Sequence, residues 1–134
     1  MINIEEELFT KIATALRSQF SGIYVSGEYV NQPSSFPAVF IIEMDNKANR
    51  RTRSSSSNEN YADVMYQVDV YSNKTKGRKA EAKQIMAAVD EQFAAMGFTR
   101  SYLNPVPNMN DATIYRMTGR WIATVSPQGV VYWR

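Results

Sequence analysis

Residues 61–71 read YADVMYQVDVY, and after a polar break at 72–75 residues 79–96 read KAEAKQIMAAVDEQFAAM. In the first run Ala62, Val64, Tyr66, Val68 and Val70 alternate with Asp63, Met65, Gln67 and Asp69. A period of two gathers the first set on one face, so this run predicts a half-buried strand. In the second run the apolar positions recur as Ala82, Ile85, Val89, Phe93 and Met96. That is the stripe of a helix, and Gly97 follows as a left-handed cap. A strand feeding an amphipathic helix sets the frame: a sheet with helices laid on its apolar side.

Upstream, Leu8, Phe9, Ile12, Ala13, Leu16 and Phe20 are spaced as another helical stripe, which predicts a helix over 3–20. Asn3 with Glu6 suits a capping box, Glu5 to Glu7 suit the positive helix end, and Ser21-Gly22 stops the helix. Residues 23–30 alternate as a short strand, and 31–35 form a turn-rich connector. Residues 36–44 (FPAVFIIEM) are almost continuously apolar. They predict a strand covered on both faces, with Pro37 at its start or on an edge and with Glu43 and Asp45 facing the same way. The stretch 46–58 holds Lys47, Arg50, Arg51, Arg53, consecutive serines and no acid, a composition for a loop or hairpin tip.

Downstream, 98–103 predict a strand, and Pro105 and Pro107 keep 104–108 out of any central one. Residues 113–126 predict a long strand that turns at Pro127-Gln128-Gly129 into 130–133, a closing hairpin. Tyr115, Met117, Trp121, Ala123 and Val125 share one face of it, and Arg116, Thr118, Arg120 and Thr124 share the other, where Arg116 and Arg120 can meet Asp63 or Asp69. The expected fold is α+β: a mostly antiparallel sheet with two helices packed on one face, in the order α-β-β-β-α-β-β-β, as a single domain over 1–134.

The 134 residues carry 15 Lys+Arg against 13 Asp+Glu and contain no Cys and no His. Disulfides, thiolate nucleophiles and Cys-based metal sites are excluded, as are catalytic arrangements that need imidazole. The composition therefore points away from an enzyme, with no cofactor and no metal. A net charge of +2 does not by itself make a nucleic-acid binder. An acidic start and the lack of a long apolar run imply synthesis in the cytosol and no membrane partner. Asn73-Lys74-Thr75 then has no use as a glycosylation acceptor. Eight Tyr, six Phe and two Trp are many for so small a chain, so some reach the surface and favour self-association.

No glycine pattern matches a phosphate-binding loop. Glu43, Asp45, Asp63 and Asp69 offer oxygen ligands for a hard cation, against the simpler reading of a charge-balanced sheet face. The basic stretch with Lys47, Arg50, Arg51 and Arg53 has three readings: an arm facing DNA phosphates, a segment ordered by assembly, or a solvated loop. Lys74, Lys76, Arg78 and Lys79 lead into a helix N-terminus, where cations oppose the dipole; they mark either a contact for an acidic partner or a solvated helix start. Tyr115 to Trp121 offers aromatics on which bases could stack, but alternation sends those rings into the core.

Several stretches resemble a known family: GIYVSGEYV (22–30), PSSFPAV (33–39), SNEN (57–60) followed by VMYQVDVYSNK (64–74), and NPVPN (104–108) with TIYRM (113–117). Together they are similar to the tail terminator, or tail-completion, proteins of tailed phages and prophages. The resemblance implies a structural subunit that forms a six-membered ring on the tail tube, ends its elongation and offers the surface that joins the head. Its implied partners are copies of itself, the tail tube protein and a head-side connector or stopper protein, with DNA passing through the lumen. It implies a place in the virion tail or neck after assembly in the host cytoplasm, and it brings no catalytic residues. Lys47, Arg50, Arg51 and Arg53 would lie at a subunit boundary or face the channel. A head-completion or stopper component is the neighbouring alternative, and a DNA-binding module using both basic clusters is one of another class.

Overall fold

The alternation over 61–71 is realised as an eleven-residue strand at the centre of a six-stranded sheet. The computed structural model describes residues 1–30, 33–49, 61–107, 113–127 and 131–132. In chain order the elements are α1 (Glu5–Gln19), β1 (Tyr24–Ser26), β2 (Ala38–Ala48), β3 (Ala62–Ser72), α2 (Arg78–Ala95), β4 (Thr99–Val106), β5 (Tyr115–Val125) and β6 (Val131–Tyr132). The strands lie side by side as β1-β2-β3-β5-β4, and β6 pairs with the end of β5. All neighbours are antiparallel except β1 and β2. The α+β architecture and the element order are those the periodicity predicts.

The core lies between the sheet and the helices. Val64, Tyr66, Val68 and Val70 of β3 and Met117, Trp121, Ala123 and Val125 of β5 are buried against Leu8, Ile12 and Leu16 of α1 and Ile85, Met86, Val89 and Phe93 of α2. Trp121 stacks on Phe93 with centroids 4.6 Å apart and planes 9° apart, and its indole N–H donates to Asp90 at 2.9 Å. Gly119 is required by that ring, because a Cβ there would come within 2.5 Å of Trp121 Cη2. Gly97 closes α2 with φ 88°, the left-handed conformation expected of it. No helix among the described residues is long and apolar enough to cross a membrane.

Several local expectations are corrected. Helix α1 begins at Glu5 with Ile4 at its boundary and no side-chain cap. Asn3 Oδ1 does accept the Glu5 amide at 3.2 Å, but Ile2 is buried and its carbonyl accepts Asn46 Nδ2 at 2.8 Å, so the chain enters the helix from the core. The strand expected over 23–30 shrinks to three residues running parallel to β2, and the rest of that stretch leaves the ladder. β2 outlasts its apolar run, reaching Ala48, and is buried continuously only over Ala38–Ile41. A bulge between Glu43 and Asp45 adds a residue. It therefore sets Glu43 beside Tyr66 on the helix side and Asp45 beside Met65 on the opposite face, against the expectation that the two share a face. β4 continues through Pro105 to Val106, which it can do because it is the edge strand.

Candidate functional site

The sheet face away from the helices carries the polar half of the alternation, and the pairing register arranges it in rows. Ala38, Tyr71, Arg116 and Val106 form one row, followed by Phe40, Asp69, Thr118 and Asn104. Ile42, Gln67, Arg120 and Tyr102 form the next, and then come Asp45, Met65, Ile122 and Thr99. Just after β1, Tyr29 lies on the first rows. The Tyr29 ring lies 5.7 Å from that of Phe40, which also meets Tyr24 at 6.2 Å and Tyr71 at 5.6 Å. Phe40 is thereby 2% exposed although no helix among the described residues covers it.

Asp69, fully buried, is the hub of this face. Tyr29 donates its hydroxyl at 2.7 Å and Gln67 its amide at 3.1 Å. Arg116 donates Nε and a terminal nitrogen at 3.3 and 3.2 Å, and the Thr118 hydroxyl completes the set. A buried carboxylate is tolerable only when paired and hydrogen-bonded in this way. The Arg116 guanidinium also lies over the Tyr71 ring, 5.4 Å from its centroid. Gln67 links the hub to a second arginine by accepting Arg120 Nε at 2.9 Å, and Arg120 lies 5.4 Å over the ring of Tyr102. Burial, then the bond to Asp69, pushes the Tyr29 phenol up to about 12. Burial also raises Tyr71, with Arg116 opposing, and raises Tyr66, helped by its 2.5 Å bond to Glu43. All three phenols remain donors through neutral pH.

The structure thus brings Arg116 to Asp69 as predicted, but Arg120 meets Gln67, and Asp63 takes Thr124 at 2.7 Å and Asn49 at 3.2 Å. β3 is consequently buried on both faces at Gln67 and Asp69, where a half-buried strand was expected. Lys47 lies on β2, not in a loop, exposed and 3.9 Å from Asp45. Arg50, Arg51 and Arg53 lie outside the described residues. Lys74 and Lys76 sit in the exposed turn before α2, and Arg78 and Lys79 open its first turn behind Gly77. None of these four forms an ion pair among the described residues. The four acids once grouped as oxygen ligands are split between the two faces, and among the described residues no three acidic side chains gather to hold a metal ion. Tyr115 and Trp121 face the core side, as alternation predicts.

The sequence signal for this site was half visible: polar residues at matching parity on β3 and β5. Tyr29 carried none, because its contact with Asp69 spans forty residues of chain. No family model matches the chain, and no curated protein matches it. A solved chain described only by a sequence identifier superposes over 98% of this chain and 99% of its own length, with 12% identity and a TM-score of 0.46.

Proposed function

We propose that the chain is a structural subunit of a phage tail, a tail-terminator-like protein that assembles as a ring, a homohexamer, on the end of the tail tube. The ring ends tube growth and presents the surface to which a head-side connector binds, with DNA passing through its lumen. The chain would act in the virion tail or neck and perform no reaction. The single observation that carries the reading is the open sheet face: it holds Tyr and Arg side chains in fixed positions, around a carboxylate whose partners are all in place. Tyr and Arg are the side chains favoured in protein interfaces, and a hub already filled by its own chain leaves them free to serve as contact surface. The family resemblance in 22–30, 33–39, 57–60, 64–74, 104–108 and 113–117 supplies the particular assembly. Lys47, with the neighbouring Arg50, Arg51 and Arg53, would then face a neighbouring subunit or the DNA channel.

Light scattering over a range of concentrations, with negative-stain images of the protein mixed with tail tubes, tests the reading. A ring at tube ends is the expected result, and a strict monomer that never decorates a tube end overturns it. Deletion from the phage separates the two neighbouring roles: overlong tubes indicate a terminator, and normal tails without heads a stopper.

A further inference from the structure

The two edges of the sheet differ in a complementary way. At the β1 edge, α1's first turn and the turn after β1 enclose a groove of about 350 Å³, lined by Asn3, Glu5, Glu6, Phe9, Glu28 and Ile41. Its rim is acidic and its floor is Phe9 and Ile41. Glu5, Glu6 and Glu28 are exposed, and none has a cationic partner among the described residues. At the opposite edge, Arg120 and Tyr102 are both exposed on the open face. Arg120 is held by Gln67 and stacked on Tyr102, and it has no carboxylate partner among the described residues. Gln67 is itself fixed by its bonds to Asp69 and Tyr29, so this guanidinium is ordered before it meets a ligand, which lowers the entropy cost of binding.

Resting on the ring reading, we propose that the Arg120–Tyr102 stack of one copy docks into the Glu5–Glu6–Glu28 groove of a second copy of this chain. The guanidinium meets the carboxylates and the tyrosine ring covers Phe9, which is partly exposed. The contact runs through side chains because β4 is a poor edge for strand addition: Pro105 lacks an N–H, and a bulge between Arg100 and Tyr102 breaks its register. Two unlike patches at opposite edges make a heterologous contact, which closes into a ring after a fixed rotation. The stack lies on the open face and the groove beside α1, so successive copies overlap like shingles.

Charge exchange tests it. Arg120→Glu weakens self-association roughly tenfold or more, and so does the pair Glu5→Lys with Glu6→Lys; combining all three restores assembly. Tyr102→Ala, with thermal unfolding as a folding control, weakens it without changing charge, and added salt weakens the wild type. If the wild type assembles and both Arg120→Glu and Tyr102→Ala assemble equally well, the docking falls and the ring stands. If the wild type is monomeric at every concentration, both fall.

Discussion

The two faces of this sheet are built from the same strands by opposite means. On the helix side, Val64, Tyr66, Val68, Met117 and Trp121 meet apolar side chains of α1 and α2, and the stabilisation comes from area removed from water, which does not depend on direction. On the open side, Asp69, Gln67 and Thr118 are also withdrawn from solvent, with Arg116 half-buried beside them, but through bonds that each need one partner at one angle. The first face tolerates small shifts as long as volume is kept. The second holds side chains at fixed positions, which suits a surface that must fit another molecule.

Substitutions that break one face and spare the other make the difference measurable. Trp121→Ala has the largest expected effect, about 4 kcal/mol in urea unfolding, from the cavity beside Phe93 and the lost bond to Asp90. Asp69→Ala follows at about 3 kcal/mol, because Arg116, Tyr29 and Thr118 lose their common acceptor. If Asp69→Ala proves near neutral, the polar face contributes nothing to stability and the contrast fails. Gly119→Ala costs about 2 kcal/mol, since the new methyl meets the Trp121 ring; a loss of the stacked-indole signal in near-ultraviolet circular dichroism accompanies it.

Tyr29→Phe costs about 1 kcal/mol and also tests the pH behaviour. The folded protein favours the protonated phenol, pushed up to about 12 from an ordinary 10. Its contribution is therefore whole below pH 10 and fades as the pH rises through about 12. Alkaline unfolding of Tyr29→Phe, followed by circular dichroism, should lack that share of the pH dependence. Lys47→Ala has the smallest effect, under about 0.5 kcal/mol, because its pairing with Asp45 at 3.9 Å is exposed.

Most of the fold was legible because its signals are local. The alternation in 61–71, the stripe of α2 with its Gly97 cap, and the hairpin of β5 with β6 each follow from residues a few positions apart. The site was legible only in part: parity placed Arg116 opposite acidic positions on β3, but it did not select Asp69 over Asp63 or send Arg120 to Gln67.

By itself, then, the sequence determined the element order, the apolar side of each strand, and the absence of thiol and imidazole chemistry, since side-chain period and residue type are properties of the chain alone. Tertiary structure decided the bulge that separates Glu43 from Asp45, the parallel docking of β1, and the closure of Tyr29 over Asp69. Those depend on contacts between distant residues, whose geometry exists only once the sheet has formed and its register is set.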